Sequence, residues 1–167
     1  FLMLNCSTQK DQFVNRQYHR LTTTFNVLFN GEEAFAIGKS ILDASVEDNF
    51  FELLDVEPIT LSGESLDNTN LVPGFDRAEE KAVKAIQKHS MRFEGEQRNN
   101  QIDKAYLLLG KARYFDRRFF PALEAFNFLM ESYRSEASYL EGIIWREKTN
   151  IRLLNNEIAI GNLRPLA

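Results

Sequence analysis

The chain has 167 residues, 44% hydrophobic and 26% charged, with a formal net charge of −4. That length suits one domain with its own core or a piece of a repeat array, and the negative balance disfavours non-specific binding to nucleic acid. A single cysteine, Cys6, excludes an internal disulfide and any metal site built from several cysteines.

The charge is unevenly spread. Between Lys39 and Arg77 there is no Lys or Arg, while Asp43, Glu47, Asp48, Glu52, Asp55, Glu57, Glu64, Asp67 and Asp76 are acidic. From Arg77 onward the bases outnumber the acids, 16 to 12. No apolar run approaches the about 20 residues of a membrane helix. The first residue is Phe rather than Met and the last letters, NLRPLA, fall inside an apparent helix, so a fragment of a longer protein is expected.

The chain starts FLMLNCSTQKDQ. A short apolar run, then a cysteine, then small and polar residues is similar to the end of a bacterial lipoprotein signal peptide, whose cysteine becomes the acylated first residue. Leu2 and Leu4 suit the cleavage box, whereas Asn5 stands where Gly, Ala or Ser is usual. On this reading Cys6 is the lipidation site and residues 1–12 are the signal-peptide end and a polar tether. Each buried CH₂ of an acyl chain contributes about 0.8 kcal/mol, so several chains anchor stably. The alternative is a cysteine without such a role.

From Phe13 to Phe29 the apolar residues Phe13, Tyr18, Leu21, Phe25, Leu28 and Phe29 follow a helical period. Asn30-Gly31 reads as a stop and turn, and Glu32-Glu33 suit the first turn of a second helix. A helical hairpin, followed by a short third helix over VEDNFFELL, is therefore expected within 13–54. Residues 55–75, with Pro58, Gly63, Pro73 and Gly74, read as an acidic loop or linker. Residues 76–167 read as helical repeats. Asp76–Met91 is expected to be a helix burying Ala78, Ala82, Val83, Ala85 and Ile86, and GEQRNN breaks it. Helices follow over Asp103–Asp116, Pro121–Tyr133 and Ser138–Leu154, with another opening near Glu157. No strand alternation appears, so the chain is predicted to be all-α.

Gly110, in the middle of AYLLLGKARYF, costs about 1 kcal/mol of helix propensity relative to Ala. An offset of 37 residues places 106–129 over 143–166, with Lys111 on Lys148, Tyr114 on Ile151, Ala122 on Ala159 and Phe126 on Leu163. An offset of 88 places Tyr18 on Tyr106 and Ala34 on Ala122. Two helices per unit and a spacing of this size are the signature of an α-solenoid. Tyr106, Leu109, Gly110, Ala122 and Phe126 resemble the tetratricopeptide pattern, best over 106–134, with a partial repeat over 138–167. That resemblance implies that Gly110 is small to let its helix cross close to Ala122. Glu147 and Thr22 stand at the equivalent positions of the weaker units.

Little in the sequence indicates chemistry. His19 and His89 lack an acid or cysteine at motif spacing and read as ordinary helix residues. DNTN (67–70) lacks the alternating ligands, central Gly and terminal Glu of a calcium loop, so the acids of 43–67 read as a solvated face. There is no phosphate loop, nucleophile elbow or HExxH, and neither an enzyme, a cofactor, a metal nor a small-molecule substrate is indicated. RYFDRRFF (113–120) interleaves bases and aromatics as single-strand binders do, but in a repeat hairpin the same letters are core aromatics and a basic turn. Lys104, Lys111 and Tyr114 fall on one helix face, with Lys148 and Arg152 on the equivalent face of the next. Such a face suits an acidic peptide or carboxylate of a partner, or is simply solvated.

Taken in order, CSTQKDQFVNRQYHRLTTTFNVLFNGEEAF, DNFFELLDVEPI, KAVKAIQKHSM and AYLLLGKARYFDRRFFPALEAFNFL resemble the start of the SprE/PorW-type tetratricopeptide lipoproteins. These belong to the type IX secretion and gliding motility apparatus of Bacteroidota. The resemblance spans nearly the whole chain. It implies an outer-membrane lipoprotein acylated at Cys6, facing the periplasm, that scaffolds other proteins of that apparatus. A barrel-assembly type repeat lipoprotein and a cytoplasmic repeat adaptor are the alternatives.

Overall fold

A computed structural model describes residues 7–47, 50–51, 53–54, 57, 59, 72–134 and 137–166. Within them the chain is all-α apart from one two-stranded hairpin. Cys6 and the DNTN stretch lie outside the described residues, as does most of the 55–75 linker.

The first helix does not turn back at Asn30-Gly31. Helix α1 (Phe13–Thr22) runs through a π-helical stretch, Thr23–Leu28, directly into α2 (Phe29–Ala44). Gly31 is buried in mid-helix, where a Cβ would lie 2.8 Å from Leu108 Cδ2 and 3.0 Å from Lys81 Cβ. The glycine therefore serves the close approach of two distant segments, information that no local pattern carries. Asn30 stays helical and donates its side-chain amide to the Asn26 carbonyl. The π stretch begins where the hydroxyls of Thr23 and Thr24 donate to the carbonyls of His19 (2.6 Å) and Arg20 (2.9 Å), bonds that compete with the helix ladder and bend it. One continuous helix thus replaces the expected hairpin. Tyr18 and Ala34 share it, so the match at offset 88 does not relate two hairpins. Of the expected short helix, Val46, Glu47, Leu53 and Leu54 have no regular structure and Phe50-Phe51 lie in a turn.

Helix α3 (Phe75–His89) follows Gly74, whose φ of 114° only glycine adopts without strain. A Cβ there would also sit 2.5 Å from the Ala34 carbonyl oxygen. Ala78, Ala82 and Ala85 are fully buried against α2 and α4, with Val83 and Ile86 packed beside them. The stop over GEQRNN proves to be a hairpin, with β1 (Arg92–Phe93) paired to β2 (Glu96–Gln97). Its two-residue loop, Glu94-Gly95, has φ of 51° and 84°, as the tight turns that match strand twist require. Two-residue strands are too short to show alternation.

Four helices complete the stack: α4 (Ile102–Phe115), α5 (Phe119–Ser132), α6 (Ser138–Arg152) and α7 (Asn156–Leu163). Each packs on the one before, and in addition α2 touches α4 and α4 touches α6. Gly110 is buried on α4 as expected, and the atoms nearest to it belong to the ring of Phe126. A Cβ at Gly110 would lie 2.3 Å from Phe126 Cε1. Phe126, Ala122 and Leu129 are fully buried and Leu109 is nearly so, while Tyr106 packs on Phe128 with ring centroids 4.4 Å apart. On the other side of α5, a Cβ at Gly142 of α6 would lie 2.7 Å from Leu129 Cδ2. An aromatic cluster of Phe35, Phe75 and Phe115, with centroids 5.4–5.5 Å apart, joins α2, α3 and α4.

Gly110→Leu is expected to lower stability by about 1–3 kcal/mol through overpacking against Phe126. Urea unfolding measures it, and pairing the change with Phe126→Ala should recover part of the loss, because the two side chains compete for one space.

Candidate functional site

Helices α2, α4 and α6 line one face of the stack, and the five residues proposed to bind a partner lie on it in two groups. Lys104 and Lys111 border an open cavity of about 400 Å³, together with Phe35, Leu107, Leu108 and Glu141. Lys111 Nζ lies 3.1 Å from Glu141 Oε1, 5.4 Å from the Phe35 ring centroid and 5.3 Å from that of Trp145. Lys104 Nζ donates to Gln101 Oε1 at 3.1 Å.

Tyr114, Lys148 and Arg152 instead converge on the chain's own Glu57. Tyr114 Oη donates to Glu57 Oε2 at 2.5 Å, Lys148 Nζ bonds Oε1, and Arg152 Nη2 lies 3.2 Å from Oε2. Arg152 also donates from Nε to Tyr114 Oη (3.1 Å) and from Nη1 to the Ile59 carbonyl (3.2 Å). Lys148 Nζ stands 4.3 Å from the Trp145 centroid, a cation–π geometry. The Ile59 side chain is 2% exposed and joins the core cluster of Leu42, Phe75, Tyr114 and Phe115. Glu57 is correspondingly not part of a solvated acidic face, since its side chain is only 14% exposed. Burial pushes its carboxyl upward, but the bonds from Lys148, Tyr114 and Arg152 outweigh this and hold it below its ordinary value. Burial, reinforced by Glu57, pushes the Tyr114 phenol up to about 12.

Two further polar clusters lie away from this face. Two bases of RYFDRRFF pair with acids of the chain: Arg113 Nε bonds Glu79 Oε1 at 2.8 Å, Arg118 bonds Glu79 Oε2, and Arg118 Nε bonds Asp116 Oδ2 at 2.6 Å. They tie the α4–α5 turn to α3. His19 and His89 meet, with Nδ1 atoms 2.9 Å apart in buried surroundings. Asn99, fully buried, donates to Thr23 Oγ1 (3.0 Å) and to the His89 carbonyl (2.9 Å). Burial chiefly, then His19 and Lys84, lowers the pKa of His89.

Sequence reading missed Glu57, Ile59 and Trp145. The one signal for Glu57 was the contrast between an acid-only segment and the bases that follow, and that contrast does not choose among nine carboxylates. No protein-family model matches the chain, and no curated protein matches it.

The two titrating groups are of opposite charge type, but their contributions to stability have the same sign. Glu57 is held below its ordinary 4.5, so the unfolded chain takes up the proton first. Its contribution is complete above pH 4.5 and is lost as pH falls through the folded value. His89 is held below 6.5, so its share is intact above pH 6.5 and declines below it. Melting temperatures measured across pH should show both windows, with Glu57→Gln flattening the lower and His89→Gln the upper. At pH 7, Glu57→Gln is expected to cost about 1–3 kcal/mol, the scale of hydrogen bonds to charged groups.

Proposed function

We propose that this chain is a non-enzymatic protein–protein interaction scaffold built as a tetratricopeptide-like α-solenoid. The observation that carries this reading is the groove itself: α2, α4 and α6 present one aromatic and basic face, and the outer helices serve to hold them. The hairpins α4–α5 and α6–α7 are joined by the three-residue connections 116–118 and 153–155, and their corresponding positions fall at the spacing of 37 seen in the sequence. The close fit of Phe126 on Gly110 supports the same architecture.

The N-terminal FLMLNC stretch and the in-order resemblance described above extend the proposal. The chain is then an outer-membrane lipoprotein, acylated at Cys6 and facing the periplasm, that supports type IX secretion and gliding motility by binding other proteins of the apparatus. Anchoring through lipid is compatible with the helices described, none of which is long and apolar enough to cross a membrane.

Mass spectrometry of what co-purifies with the tagged protein from detergent-solubilised envelopes of its own host tests this. Components of the type IX translocon or its motor are the expected result. Barrel-assembly proteins would move the assignment to that machinery, and exclusively cytoplasmic partners would overturn the lipoprotein reading.

A further inference from the structure

We propose that Glu57 and Ile59 are an internal ligand, occupying a recognition site for an extended acidic segment of a partner protein, which binds by taking their place. The inference rests on the scaffold reading and names the chemistry of its partner.

The donors all come from the facing sides of α4 and α6, whereas Glu57 and Ile59 belong to no helix. Recognition combines side chain and main chain. Two cations and a phenol take the carboxylate, while the Arg152 guanidinium also takes the Ile59 carbonyl. Extended peptides are held in the same way where main-chain bonds are combined with pockets for side chains. The site keeps part of its internal order without the ligand, through the Arg152–Tyr114 bond and the seat of Lys148 on Trp145. A preorganised cradle of this kind loses little on exchanging one carboxylate for another.

The groove also continues past the internal ligand. Trp145 is approached by both Lys148 and Lys111, at 4.3 and 5.3 Å from its centroid. It thereby links the Glu57 cradle to the cavity bordered by Lys104 and Lys111. An incoming segment with a carboxylate two residues before an aliphatic side chain could repeat the contacts of Glu57 and Ile59. Further acids would then meet Lys111 and Lys104, which the internal ligand leaves to Glu141 and Gln101. A tethered segment competes at an effective concentration on the order of millimolar, so the internal ligand raises the threshold for partners without excluding them.

The test uses a labelled peptide with the sequence of residues 53–61, LLDVEPITL, titrated into the whole chain and read by anisotropy. Glu57→Gln protein is expected to bind it at least about ten-fold more tightly than wild type, because its internal competitor is weakened. Replacing the peptide's glutamate by glutamine, or adding Lys148→Ala and Arg152→Ala to the protein, should abolish that gain. Equal affinity of wild type and Glu57→Gln, or indifference to the peptide's carboxylate, would overturn the proposal. If Glu57→Gln loses its helical circular dichroism, wild type decides under excess peptide through the fluorescence of Trp145, the chain's single tryptophan. A saturable change absent with the glutamine peptide supports exchange, and no change refutes it. The components all derive from this chain, so failure here leaves the envelope co-purification result standing. Conversely, peptide exchange without envelope partners would sink only the assignment to the apparatus.

Discussion

Helix α5 is clamped between two glycines, and the groove depends on that clamp. Phe126 fills the space that a side chain at Gly110 would take on α4, and Leu129 does the same at Gly142 on α6. Both side chains are fully buried, so neither helix can slide along α5 without driving a side chain into backbone. Interiors packed at this density do not deform continuously. With α4 and α6 each registered on α5, Tyr114, Lys148 and Arg152 are set at distances that let one carboxylate reach all three. The helix-propensity cost of glycine is therefore offset in tertiary packing, and the electrostatic site is a consequence of steric fit.

Electrostatics then does something that packing does not. Desolvating Glu57 is unfavourable by itself, and the net lowering of its pKa means that three donors more than compensate. The same balance recurs at Glu79, where burial is outweighed by Arg118 and Arg113. Glu57 is matched to two bases of α6, and Glu79 to one base at the end of α4 and one in the α4–α5 connection, all at least 34 residues further along the chain. The uneven charge distribution, acid-only between Lys39 and Arg77 and base-rich after it, is thus partly complementary within the molecule, as the pairing of Glu57 with Lys148 and Arg152 shows. A net charge of −4 hides this, because it sums over charges that have already met.

The parts legible in sequence were those whose signal is local. The helical periods of α3 to α7 and the alanine face of Ala78, Ala82 and Ala85 follow from spacing within one element, and the need for a small residue at Gly110 was implied by the tetratricopeptide resemblance. The parts that were not legible depend on a distant neighbour. Asn30-Gly31 carries a turn signature, yet Leu108 and Lys81 decide what Gly31 is for. Gly110 signals close approach without saying whether Ala122 or Phe126 approaches. His19 and His89 carry no motif because 70 residues separate them. At this face, the bases of α4 and α6 and Tyr114 were readable from the sequence, while Trp145 and the carboxylate of Glu57 were not.

The two hairpins related by that offset solve the same contact in different ways. Where α4 has Gly110, α6 has Glu147, fully buried and bonded by Arg146, Asn150 and Asn162. Asn162 lies on α7, so this helix is held by a directed polar bond where α5 is held by an interlocked ring. Hydrogen bonds fix direction and tolerate little substitution when buried, whereas apolar interlock fixes distance. On α7 only Ala159 is buried, and Ile158 and Ile160 face outward. The polar anchor therefore carries a share of the α6–α7 registry that apolar burial carries between α4 and α5. The consequence for the groove is an asymmetry. Its α4 wall is braced by packing from both sides, while its α6 wall, bearing Lys148 and Arg152, is braced by packing on α5 and by the bond that its own buried Glu147 accepts from Asn162 of α7.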